Sequence, residues 1–115
     1  MKIVLGMPAF NEGEKIEGII NEIKNLVDDI IVCNDGSTDS TGIIAQKMGA
    51  IVINHKKNLG YGSAINSIFS KAREMEADIL ITFDADGQHR SKRYPICNST
   101  NRKWRSRYCN RFKIS

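Results

Sequence analysis

Ile79-Leu80-Ile81-Thr82-Phe83-Asp84-Ala85-Asp86-Gly87-Gln88-His89 is an apolar run that stops at two carboxylates. β-Favouring and apolar residues in succession suit a strand covered on both faces, as in a parallel sheet between helices. Side chains alternate along extended chain, so Asp84 and Asp86 can project to one side, about 7 Å apart. Two carboxylates so placed repel unless a cation sits beside or between them. Hard oxygen ligands at the end of a parallel strand suit Mg²⁺ or Mn²⁺ shared with phosphate oxygens, and open α/β sheets bind ligands at the strands' carboxyl ends. Taken alone, the hexapeptide reads equally as a solvated Asp-Gly turn.

Upstream of this strand the chain alternates in type. Lys2 to Gly6 reads as a buried strand, followed by Pro8 and a helix over about Glu12 to Asn25 with Ile16, Ile19, Ile20 and Ile23 at helical spacing. Asn11 with Glu14 three residues on resembles a capping box. A second strand, Asp29 to Cys33, opens into the turn-rich Asn34-Asp35-Gly36-Ser37-Thr38-Asp39, and a second helix begins near Ser40 and ends at Gly49. Ala50 to Asn54 is a short third strand. A glycine-bearing loop, Lys57 to Ser63, then leads into a helix whose buried stripe is Ala64, Ile65, Ile68, Phe69, Ala72 and Met75. Strands alternating with helices predict an α/β fold, a parallel sheet with helices on both faces joined by right-handed crossovers.

Charge divides the 115 residues in two. The net +4 hides that all 13 acidic residues lie in 1–89 beside 8 Lys and Arg, whereas 90–115 carries 9 Lys and Arg and no acid. Such a tail, with Trp104 and Tyr108, has the composition of a nucleic-acid or membrane-surface arm. We expect no nucleic-acid partner, for a reason given below. Cys33, Cys97 and Cys109 form no C-x-x-C pair and are odd in number, which argues against a disulfide framework or zinc site and predicts a cytoplasmic protein. The first residues are too short for a signal peptide, and no apolar run reaches the ~18 residues of a spanning helix.

No G-x-G-x-x-G follows the first strand and no G-x-x-x-x-G-K-[ST] occurs, so neither a dinucleotide fingerprint nor a P-loop is present. Three acidic loops converge instead, carrying Glu12, Asp35, and Asp84 with Asp86. Acids can accept hydrogen bonds from a base's ring N–H and from ribose hydroxyls, and can hold the ion that neutralises a diphosphate.

Pro8-Ala9-Phe10-Asn11-Glu12, Asn34 to Asp39, Asn58-Leu59-Gly60-Tyr61-Gly62 and Asp84 to His89 resemble, in order and spacing, the successive motifs of family 2 glycosyltransferases, above all dolichyl-phosphate mannose and glucose synthases. The resemblance covers residues 1–89. It implies the N-terminal half of a GT-A, or nucleotide-diphospho-sugar transferase, fold. Pro8, Ala9, Phe10, Glu12, Cys33 and Asp35 would contact the nucleoside of a GDP- or UDP-sugar, and Asp84 and Ala85 would lie against ribose and diphosphate. Asp86 and Gln88 would hold the divalent Mg²⁺ or Mn²⁺, making Asp86 the catalytic carboxylate. Cys33 reads as well as a small core hydrophobe, and His55 and His89 as turn residues with no catalytic role. Asn34 stands where the family commonly has a further Asp. The implied reaction is inverting transfer of a hexose to a polyprenyl (dolichyl) phosphate, by enzymes that touch the membrane peripherally at its cytoplasmic face. A nucleotidyltransferase of related sheet would carry a glycine-rich, arginine-bearing loop after the first strand, which this chain lacks; a non-enzymatic nucleotide-binding module would need only this half.

The resemblance places an acceptor site and further strands after residue 89, and the basic tail matches none of it. Read one base later with degenerate codons, residues 90–97 permit D-P-K-D-I-P-F-V and 106–115 permit A-D-I-V-I-G-S-R-F, which restores the family pattern. We therefore expect the tail to be a frameshift product without order, not a binding arm. The chain is then expected to be inactive alone, and the fourth strand's outer edge open and prone to self-association.

Overall fold

The computed structural model describes residues 1–83 and 109–114. Strands β1 (Ile3–Ala9), β2 (Asp29–Asp35), β3 (Ile51–His55), β4 (Ile79–Phe83) and β5 (Cys109–Lys113) alternate through β4 with helices α1 (Gly13–Ile23), α2 (Thr41–Lys47) and α3 (Tyr61–Glu74). They form one sheet in the order β3-β2-β1-β4-β5. β1 pairs in parallel with β2 (Gly6 beside Ile31) and with β4 (Gly6 beside Thr82), and β2 with β3 (Cys33 beside Ile53).

The order follows from two successive crossovers stepping outward and a third stepping back. The chain runs β1, β2, β3 in one direction, then α3 returns it across the sheet to the other side of β1. With right-handed crossovers, reversing direction moves the connecting helix to the opposite face. The core divides accordingly. On one face Ile16, Ile19, Ile20 and Ile23 of α1 and Ala45 of α2 pack on Leu5, Met7, Val32 and Ile81. On the other, Ala64, Ile68 and Ala72 of α3 pack on Val4, Ile31, Cys33 and Leu80. α3 lies close to the sheet because Gly6 has no side chain: a Cβ there would stand 2.3 Å from Ile68 Cγ2. The gap between β1 and β4 is the point where strand order reverses, and crevices at such points bind ligands.

Element types match the sequence reading, and strand ends extend further: β1 reaches Ala9 and β2 reaches Asp35. The capping box does not form. α1 has no side-chain cap of its own; its first amides are taken by the loop after β2. Asn11, at φ +53, turns its side chain away to that loop.

The expectation of an open edge on β4 is corrected. β5 pairs antiparallel along all of β4, with Leu80 beside Phe112. Its ring meets Phe69 of α3 edge-on, centroids 4.9 Å apart, and the Ile114 amide donates to the Asp78 carbonyl at 2.8 Å. The expectation that the tail takes no order is corrected for these residues. Backbone groups along a buried strand require partners, and an aromatic that finds α3 supplies the packing to hold them.

Candidate functional site

The carboxyl ends of β1 and β2 are tied into one unit by side chains of the following loops. The Asn11 amide donates to Ser37 Oγ at 2.9 Å, and Asn11 Oδ1 accepts from the Thr38 amide at 2.9 Å. The Glu12 amide donates to Thr41 Oγ1 at 3.0 Å, and the Gly13 amide to Asp39 Oδ2 at 3.1 Å. These are the N-terminal amides of α1, which a helix cannot satisfy from within. Asp39 in turn accepts from the Thr41 hydroxyl and amide. Those bonds, the hydroxyl's first, hold the Asp39 carboxyl below the ordinary carboxylate range.

Asp35, the last residue of β2, is buried and joins this unit to the glycine-bearing loop before α3. Its Oδ1 accepts from His55 Nδ1 at 2.8 Å and from the Leu59 amide at 2.9 Å, and its Oδ2 from the Gly60 amide at 3.0 Å. Burial alone would raise its pKa, but the hydrogen bonds from Leu59, His55 and Gly60 outweigh that and lower it. Asp35 is therefore an anion at neutral pH. Gly36 makes the approach of the two loops possible: at φ +75 a Cβ would stand 2.4 Å from the Asn58 nitrogen and from the Lys57 carbonyl carbon.

His55 ends β3 with its imidazole enclosed, 10% exposed, and Nε2 lies 2.9 Å from Ser67 Oγ of α3. Cys33 Sγ lies 3.6 Å from the same nitrogen. Burial first, and the Asp35 charge second, push the Cys33 thiol up to about 11, so it stays protonated. The turn-residue reading of His55 thus missed a site neighbour. A signal was available in the period of two, which places His55 on the same side of β3 as Ile51 and Ile53. Both of those pack against the α3 core.

Of the residues expected at the nucleoside, the structure brings Pro8, Ala9, Phe10, Glu12, Cys33 and Asp35 to the carboxyl ends of the two neighbouring strands β1 and β2 and the turn after β1. Phe10 is 44% exposed, while Ala9 is buried and Cys33 is wholly enclosed under the α3 face. Asp84, Ala85, Asp86 and Gln88 lie outside the described residues. β4 delivers the chain to them at Phe83, one residue past the pairing of Thr82 with Gly6. Among the described residues no group of three or more His, Cys, Asp or Glu could hold a metal ion, and no helix is long and apolar enough to cross a membrane.

A sheet wound outward in both directions from β1, with the loops after β1 and β2 joined at its carboxyl edge, defines an open α/β protein of the class that binds ligands along that edge. Residues 5–97 match the sequence profile of glycosyl transferase family 2, and the chain belongs to that family. It is 37% identical over 105 residues to the UDP-N-acetylglucosamine–dolichyl-phosphate N-acetylglucosaminyltransferase of Methanococcus voltae, a match covering 76% of this chain and 42% of that protein. It is 32% identical over 97 residues to the dolichol-phosphate mannosyltransferase of Pyrococcus furiosus, covering 77% and 27%. The fold is similar to that of glucosyl-3-phosphoglycerate synthase from Mycobacterium tuberculosis, solved with Mn²⁺, UDP and glucosyl-3-phosphoglycerate. That likeness has a TM-score of 0.61 at 32% identity, over 74% of this chain and 33% of that one. The chain thus spans less than half the length of each of these relatives.

Proposed function

We propose that this chain is the donor-binding part of an inverting glycosyltransferase that moves a hexose from a GDP- or UDP-sugar to a polyprenyl phosphate at the cytoplasmic face of a membrane. The observation that carries this is the ionised, enclosed Asp35, locked to the loop before α3 at the carboxyl ends of the sheet. It presents a fixed acceptor where a nucleoside base would lie. The solved relative with UDP and Mn²⁺ and the two dolichyl-phosphate transferases support the donor and acceptor classes.

In this reading Phe10 and the β1 loop cover the nucleoside, Asp35 accepts from its base, and Asp84 and Ala85 line the ribose and diphosphate. Asp86 and Gln88 would hold Mg²⁺ or Mn²⁺, which when bound neutralises charge on the departing diphosphate. A phosphate oxygen of the acceptor attacks the anomeric carbon, and the bond to the nucleoside diphosphate breaks with its electron pair leaving on the diphosphate. A phosphate monoester with a second pKa of about 6 is already largely ionised near neutrality, so the attack requires no strong general base.

Calorimetry of the chain with UDP and GDP tests this. Binding that requires Mn²⁺ or Mg²⁺, disappears in Asp86→Ala and proceeds without sugar transfer is expected; equal affinity in the presence of a chelator would overturn the metal assignment.

A further inference from the structure

The geometry around Asp35 bears on which base the site reads, an inference that rests on the nucleotide-sugar reading above. An ionised carboxylate offers about four acceptor positions, two on each oxygen. On Oδ1 both are filled, by His55 Nδ1 and the Leu59 amide. On Oδ2 the Gly60 amide fills one. Among the described residues nothing takes the other position on Oδ2. Neither amide can leave without unwinding the entry to α3, and His55 cannot turn away without giving up Asp35 at one nitrogen and Ser67 at the other. The side chain of Asp35 is only 7% exposed, so little water reaches it to serve in place of a missing partner.

We propose that His55, anchored by Ser67, is a positioning residue that makes Asp35 a single-acceptor reader of the donor's base. The site then prefers a pyrimidine with one ring N–H between two carbonyls, uracil or thymine, over guanine. Uracil and thymine present one donor on that edge, which the remaining Oδ2 position satisfies. Guanine presents a ring N–H beside an exocyclic amino group, two parallel donors that need both oxygens of a carboxylate. Oδ1 is closed to the second one. Cytosine has an acceptor at the corresponding ring nitrogen and meets the anion unfavourably. A polar group of the ligand left unpaired in an enclosed site weakens binding on the order of tenfold to a hundredfold.

The test is competition calorimetry of the full chain with UDP, dTDP, GDP and CDP in the presence of Mn²⁺, repeated on His55→Ala, His55→Asn and Ser67→Ala. UDP and dTDP are expected to bind tenfold or more tightly than GDP and CDP. His55→Ala, which vacates a position on Oδ1, should raise GDP affinity relative to UDP; His55→Asn, which keeps a side-chain N–H, should retain more of the preference. Ser67 lines a solvent-open groove of about 370 Å³ with Ile53 and Ser70, so Ser67→Ala tests the relay without opening the core, should His55→Ala fail to fold. It should narrow the UDP-to-GDP ratio in the same direction. Equal affinities for UDP and GDP, or a ratio unmoved in a folded relay variant, would overturn the inference alone. Absence of binding by any nucleotide would overturn the nucleotide-sugar reading beneath it.

Discussion

At the scale of single residues, Asp35 and Cys33 are neighbours displaced in opposite directions. Asp35 has a folded-state pKa below its unfolded value of about 4, so its contribution to stability is complete above pH ~4 and fades as pH falls through the lower folded value. Acid titration followed by near-UV circular dichroism should show this loss in the wild type, and Asp35→Ala should lack it. That variant should also be less stable by about 3 kcal/mol at neutral pH, because two amides and an imidazole lose an enclosed anionic acceptor. Cys33 is raised to about 11, chiefly by burial. The tryptic peptide carrying Cys33 should resist iodoacetamide at pH 7 in the folded chain and react once urea unfolds it; equal labelling in both states would contradict the enclosed thiol.

At the scale of elements, the alternation of strand and helix was legible because each element carries its own period. Isoleucines at Ile16, Ile19, Ile20 and Ile23 can be satisfied only by a helix on a core, and Ile79 to Phe83 only by a strand covered on both faces. The loops were less legible, because their partners lie far off in sequence. Asn11 and Glu14 look like a local cap, yet the amides of α1 find Thr41 and Asp39 instead. His55 finds Asp35 and Ser67, 20 and 12 residues away, and no local spacing announces either contact. The loop-to-loop approach at Gly36 yields a sharp expectation. Gly36→Ala adds a strained φ and a backbone overlap with Lys57 and Asn58. It should lower stability by about 3 kcal/mol in urea titration. An unchanged midpoint would show that the loops do not meet.

At the scale of the whole molecule, β5 decides how the sheet ends. It covers the β4 edge that the acid-free tail was not expected to reach, and it does so with a ring pair that no hydrophobic period in 90–115 foretold. Removing residues 90–115 should therefore uncover Ile79 to Phe83 and drive self-association. Sedimentation velocity is expected to show larger species for the shortened chain than for the full one, and identical profiles would mean that β5 contributes nothing to keeping the edge closed. The shifted reading of codons from residue 90 onward is a separate proposal. Sequencing the locus should find a transferase-like continuation in the neighbouring frame, and a frame that closes within a few codons would end it.

The position of β1 at the centre of the sheet has a consequence for biosynthesis. On one side its start is met by Asp28, 25 residues later; on the other it waits for Asp78, 76 residues later. At the usual ribosomal pace of about 5–20 residues per second, the second partner arrives roughly 3–10 s after the first. Through that interval, while β2 and then β3 are added on the other side, the β4-facing flank of Ile3 to Gly6 stays bare. A chaperone that intercepts exposed strand edges should crosslink to nascent chains arrested before β4 is made and release those arrested after it.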